Sequence, residues 1–216
     1  MTHLKKTCIQ NIGIQKIGIF GGSFDPIHMG HINIAQSAYQ EFGLDEVWFV
    51  PAGHSPNKEE SRMTPAKMRK EMVELAIQGI PYFKVCDIEL ASQEKSYTYR
   101  TLEKLNMLYP DTAFYFIMGA DSLDYFEQWV HPEIICQNAI VLVAVRDEMD
   151  LSVIQQKIKQ IKQLFPADIY PVLGGKTDIS SSLLRQSLAK GQKEASWSLL
   201  PDAVKQYIDE HQLYHR

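Results

Sequence analysis

The residues best equipped for chemistry lie in one run of eleven, Gly21-Gly22-Ser23-Phe24-Asp25-Pro26-Ile27-His28-Met29-Gly30-His31. Two glycines directly after an apolar, β-rich run let the backbone approach a ligand, and a helix starting a few residues later presents free N–H groups to an anion. His28 and His31 are three apart, so at the start of a helix they share one face. An imidazole pair placed there can donate hydrogen bonds to phosphate oxygens as charge grows on them, which suits phosphoryl or nucleotidyl transfer. Each part alone has a plainer reading: Gly-Gly as a tight turn, a histidine as a packed or solvated side chain, the pair as a metal site. No HExxH pattern and no Cys/His cluster accompanies the pair. Asp25, beside Pro26, reads as the residue that fixes the turn rather than as a general base.

Other segments carry weaker signals. Ser180-Ser181-Ser182 followed by Arg185 reads on its own as a serine-capped helix with an exposed arginine. Trp129 reads first as ordinary core and second as a stacking platform. Gly174-Gly175-Lys176-Thr177 imitates the end of a phosphate-binding P-loop, but Tyr170 stands where the first glycine is required.

Short β-rich runs alternate with helical patterns, the signature of a parallel sheet with crossover helices. The expected strands are Lys16 to Phe20, Glu46 to Val50, Tyr82 to Leu90, Ala113 to Met118, Ala139 to Val145 and Asp168 to Leu173. Ile32, Ala35, Tyr39 and Phe42 recur at helical spacing with Gly43 as terminator, and a second helix opens at Thr64-Pro65. After Ser180 the strands stop, and two helices are expected, the second opened by Pro201. The economical fold is a Rossmann-like, doubly wound α/β domain over 16–216, with its sheet part reaching about 178 and a short helical tail over 179–216; residues 1–15 form an extension. Ligands of such sheets bind beyond the carboxyl ends of the strands where strand order reverses, between the first and fourth strands in the usual order. The Gly21–His31 run and Gly119-Ala120-Asp121-Ser122 follow those two strands.

Composition sets the outer bounds. The chain has 216 residues, 45% of them hydrophobic and 22% charged, enough for one globular core. With 22 basic against 26 acidic residues the net charge is −4, which argues against holding a nucleic-acid backbone but not against binding small anions with a few convergent cations. Cys8, Cys86 and Cys136 are widely spaced with no CxxC pair, as expected of reduced thiols in a cytoplasmic protein. The most apolar uncharged run, Ile134 to Val145, is too short to cross a bilayer, and residues 1–16 lack the continuous apolar stretch expected of a signal peptide.

The eleven-residue run resembles the signature of the HxGH nucleotidyltransferase superfamily, in wording close to that of bacterial nicotinate-nucleotide adenylyltransferases. Ser23 stands where that family usually has Thr, keeping the hydroxyl. The likeness continues through Pro51 to Lys58, with Asn57 in place of a His, and through Ser96-Tyr97-Thr98, with Arg100 in place of an Asp. It extends to Gly119-Ala120-Asp121 with Trp129, to Ile179 to Arg185, and to the closing stretch from Leu200 to Tyr214; Arg146-Asp147-Glu148 departs from an Arg-Pro-Gly. The segment His28-Met29-Gly30-His31 is also similar to one in class I aminoacyl-tRNA synthetases, for which this chain is too short.

The resemblance implies that ATP and nicotinate mononucleotide give the dinucleotide and pyrophosphate, a step of NAD synthesis. Gly21, Gly22, Ser23, Phe24, His28, His31, Lys58, Ser181, Ser182 and Arg185 would then hold ATP, with His28, His31 and Arg185 acting on the transition state. Thr98, Asp121 and Trp129 would hold the mononucleotide, and Mg²⁺ would accompany ATP with no metal ligand from the protein. The departures at Arg100 and Asp147-Glu148 keep open a preference for, or tolerance of, nicotinamide mononucleotide. From another class, a nucleotide sensor without turnover is the alternative.

Overall fold

The computed structural model describes residues 13–55, 63–145, 151–174, 179–192 and 196–215. Six strands form one sheet: β1 (Gln15–Gly22), β2 (Glu46–Pro51), β3 (Phe83–Val85), β4 (Thr112–Gly119), β5 (Ile140–Ala144) and β6 (Ile169–Val172). Their order is β3-β2-β1-β4-β5-β6, and every neighbouring pair is parallel. Eight α-helices are described: α1 (Met29–Phe42), α2 (Ala66–Ile77), α3 (Thr98–Leu108), α4 (Ala120–Leu123), α5 (Pro132–Asn138), α6 (Leu151–Leu164), α7 (Ser181–Ala189) and α8 (Asp202–Glu210).

The strands form as continuous apolar runs because both faces of the sheet are covered. Alternation along them sorts side chains into two cores. Ile17, Ile19, Val141 and Val143 meet Leu102 and Leu105 of α3, Ile135 of α5 and Ile154, Ile158 and Ile161 of α6. Phe20 and Leu142 face the other way, toward Ala35 and Ala38 of α1, Met72 and Val73 of α2, Leu184 of α7 and Val204 of α8. The helical tail therefore shares a core with the sheet.

Helix ends follow the local chemistry. Gly43 closes α1 with φ 57, a left-handed conformation that glycine adopts without penalty. Pro65 and Pro201 precede α2 and α8, and the Ser180 hydroxyl accepts from the Leu183 N–H at the start of α7. The third strand is shorter than its sequence suggests. The Cys86 N–H still donates to the Phe49 carbonyl at 2.8 Å, but the chain then turns, with the Leu90 N–H donating to the Asp87 carbonyl. The reversal point of the sheet lies between β1 and β4, so the segments after them flank one crevice.

Cys86 and Cys136 are free thiols, and burial pushes Cys136 up to about 12; Cys8 lies outside the described residues. No helix among the described residues is long and apolar enough to cross a membrane.

Candidate active site

The run after β1 turns directly into α1. His28 occupies the N-cap in extended conformation and His31 the third helical position, so their side chains fall on one face. The His28 N–H donates to His31 Nδ1 at 3.2 Å. With Nδ1 as acceptor, the proton of the neutral ring sits on Nε2, which becomes the donor. The two imidazoles stack, with centroids 3.7 Å apart at 28°, and Phe24 abuts His31 edge-on at 5.1 Å. Gly21, His28, Gly30, His31, Gly119 and Ser181 line a cavity of about 210 Å³ at the ends of β1 and β4.

A second cavity of about 350 Å³ opens on the other side of Gly21. Its walls include Gly22, Ser23, Thr98, Phe116, Ser122 and Trp129. Trp129 is half-buried, and its ring leans on Phe116 at 6.1 Å and Phe126 at 5.5 Å. One side of the indole is thus core and another is cavity wall. Its buried Nε1 has no hydrogen-bond partner among the described residues.

Three ionisable side chains hold these walls together, Arg69 and Asp25 buried and Glu89 half-buried, and two of them carry no motif. Arg69 on α2 is 1% exposed. It donates to the carbonyls of Ser23 at 2.6 Å, Ala52 at 2.6 Å and Thr64 at 2.9 Å, tying the loops after β1 and β2 to the start of α2. Burial pulls this guanidinium below its ordinary value, and the charges of Asp25 and Glu89 oppose that. Glu89 accepts from the Thr101 hydroxyl at 2.7 Å, and burial pushes its carboxyl up. Asp25, also buried, accepts from the Tyr214 hydroxyl at 2.6 Å and from the Thr64 N–H at 3.4 Å. Gly53 completes the wall: a Cβ there would lie 2.5 Å from the Glu89 carbonyl oxygen, so only glycine lets the two backbones meet.

The sequence-derived candidates divide accordingly. Gly21, His28, His31 and Ser181 converge on the first cavity, and Gly22, Ser23, Thr98 and Trp129 on the second. Phe24 is 2% exposed and packs beneath the histidines, lining neither cavity. Asp121 is exposed on α4 while its neighbour Ser122 lines the second cavity. Ser182 is exposed at the start of α7. Arg185 donates to the Asp25 carbonyl at 2.5 Å, and the Ser181 hydroxyl to the Pro26 carbonyl at 3.0 Å, so α7 is pinned against the β1 loop. Arg100 is engaged by Glu94 at 2.6 Å and by the Tyr99 hydroxyl, outside the second cavity. Asn57, Lys58 and the Arg146-Asp147-Glu148 segment lie outside the described residues, as do residues 1–12 of the expected extension.

Sequence reasoning missed Arg69 and Glu89. Arg69 shares the buried face of α2 with Met72, Val73 and Ile77, and a cation on an apolar stripe was the available signal. Glu89 stood inside an expected strand, an odd place for a carboxylate.

Residues 19–187 match the family model described as Cytidylyltransferase-like. A protein of Lachnoclostridium phytofermentans named "Probable nicotinate-nucleotide adenylyltransferase" is 37% identical over 201 residues, spanning 93% of this chain and 100% of that protein. One of the same name from Dehalococcoides mccartyi is 40% identical over 205 residues, spanning 93% and 98%. The chain belongs to the nicotinate-nucleotide adenylyltransferase family. Its fold is also that of Plasmodium falciparum nicotinic acid mononucleotide adenylyltransferase complexed with NaAD, with a TM-score of 0.76 at 23% identity over 93% of this chain and 97% of that one. Both cavities of this chain lie where a doubly wound sheet binds ligands, at the reversal of strand order.

Proposed function

We propose that this family member transfers the adenylyl group of ATP to nicotinate mononucleotide, giving nicotinate adenine dinucleotide and pyrophosphate in NAD synthesis. The observation that carries the reading is the pair of cavities meeting at Gly21, one edged by stacked histidines and a helix N-terminus, the other walled by Trp129 and Thr98. A triphosphate in the first and a pyridine mononucleotide in the second would bring a phosphate oxygen up to the α-phosphorus. That oxygen forms the new P–O bond, the bond to the β-phosphate breaks, and pyrophosphate leaves with the electron pair. The attacking phosphate is already ionised, so no general base is needed, and catalysis is positioning plus charge stabilisation.

His31 Nε2 and His28 would donate to the phosphates, joined by the backbone of Gly21, Gly22 and Ser23 and by the hydroxyls of Ser181 and Ser182. Arg185, held beside the loop by the Asp25 carbonyl, and Lys58, from its place in the motif, are the cations assigned to the triphosphate. Phe24 would act from below, as the ring that seats His31. Among the described residues no group of three or more His, Cys, Asp or Glu is placed to hold a metal. Mg²⁺ is assigned to ATP, where triphosphate oxygens and water would hold it and it would offset their charge. The tail over 179–216 is part of the site through Ser181 and Arg185. The cytoplasm, with reducing conditions that suit the free Cys86 and Cys136, is the compartment assigned.

Thr98 and Trp129 would hold the mononucleotide, with Asp121 near the ribose and Ser122 in the wall. Trp129→Ala should raise the KM for the mononucleotide about tenfold or more, the usual worth of a stacked base, with the KM for ATP within about twofold. A large fall in melting temperature with both KM values unchanged would make Trp129 a core residue only. The function itself is tested by paired steady-state assays with nicotinate and nicotinamide mononucleotide. The nicotinate substrate is expected to have the higher kcat/KM, and equal efficiency would sink the assignment.

A further inference from the structure

Asp25 is a buried carboxylate with few partners. Its Oδ1 accepts from the Tyr214 hydroxyl at 2.6 Å, its Oδ2 takes a long bond of 3.4 Å from the Thr64 N–H, and the nearest Arg185 nitrogen lies 4.0 Å from Oδ2. Tyr214 therefore makes the shortest contact to this charge. The Thr64 hydroxyl donates to the Tyr214 oxygen at 3.1 Å, so the phenol is fixed as a donor toward Asp25. Burial and the neighbouring carboxylate push its pKa far up, which keeps that proton in place across the working range.

The tail beyond α8 takes an unfavourable path to make this contact. Gln212 and Tyr214 have φ 50 and 64, a left-handed conformation that non-glycine residues adopt only when the surroundings compensate. Leu213, between them, packs against the core that contains Phe20, Phe24 and Ile27. The segment joining Asp25 to His28 is stiff. Pro26 has a fixed φ, and Ile27 is fully buried, so a displacement at Asp25 is transmitted to the histidine pair rather than absorbed.

We infer that Tyr214 is a positioning residue for adenylyl transfer, its hydroxyl holding Asp25 and thereby the loop that sets His28 and His31 against the triphosphate. This rests on the function proposed above. The residue lines neither cavity and acts through Asp25, across 189 positions of sequence.

The test is a double-mutant cycle on the full chain. Tyr214→Phe removes one oxygen and leaves the ring. It should lower kcat/KM for ATP about tenfold, the low end for losing a hydrogen bond to a charged group, with the mononucleotide KM within twofold. In a His31→Ala background the same substitution should cost less than about threefold, because the loop then has less left to position. A loss within twofold in the wild-type background, or equal losses in both backgrounds, would overturn the inference.

If Tyr214→Phe does not fold, Thr64→Val serves as the second variant. It removes the hydroxyl that orients the phenol, should lower kcat/KM for ATP about threefold, and counts against the inference if activity is unchanged. If the wild-type chain makes no dinucleotide, the proposed function fails by itself. The positioning role is then read from calorimetric affinity for Mg²⁺-ATP, which should weaken about fivefold or more in Tyr214→Phe and which, if unchanged, overturns it.

Discussion

His31→Ala lowers kcat by about 10² or more, the scale on which losing one donor to a transition-state oxyanion is felt. The stacked pair leaves His31 Nε2 as its donor, because Nδ1 is engaged by the His28 N–H at 3.2 Å. That same contact gives the ring a modest structural role at the head of α1, worth about 1 kcal/mol on the scale of helix caps. The melting temperature should therefore drop by only about 2–4 °C, as expected for a chain of this size. Turnover and thermal melts on the same preparation separate the roles. An unchanged kcat with a lowered melting temperature would make His31 a packing residue.

Arg69→Met is expected to be the most destabilising single change in the site. It strands the carbonyls of Ser23, Ala52 and Thr64 and leaves Asp25 and Glu89 without the cation between them. Removing one member of a buried charged set costs about 3–5 kcal/mol, and at roughly 2–4 °C per kcal/mol the midpoint should fall by about 10 °C. Arg69→Lys should rescue little, because a single ammonium cannot reach carbonyls on three segments as a planar fork does. A melting temperature within about 2 °C of wild type for Arg69→Met would show that the three carbonyls find other partners.

Much of this architecture was legible because buried parallel strands read as unbroken apolar runs, and the runs ending at Phe20 and Met118 end at the crevice. Ser180 was legible as a cap because capping is local chemistry. The third strand was read too long, since Asp87 and Glu89 sit in a β-rich run that the chain leaves after Val85, which places Glu89 at the wall of the second cavity. Asp121 and Ser122 are neighbours on one helix and point about 100° apart, so Ser122 lines the second cavity while Asp121 is exposed, a difference their letters do not show. Arg69 showed only as a cation on an apolar stripe and Tyr214 only as part of the closing stretch, and the role of neither was legible. Their partners lie 46 and 189 residues away, and only the folded chain brings them together.

Adenylyl transfer to nicotinate mononucleotide is tested directly by following both products. With ATP, Mg²⁺ and nicotinate mononucleotide, the full chain should release pyrophosphate and form nicotinate adenine dinucleotide in equal amounts, with neither product appearing when either substrate is withheld. Pyrophosphate release from ATP that does not depend on the mononucleotide, or no release with both substrates present, would contradict it.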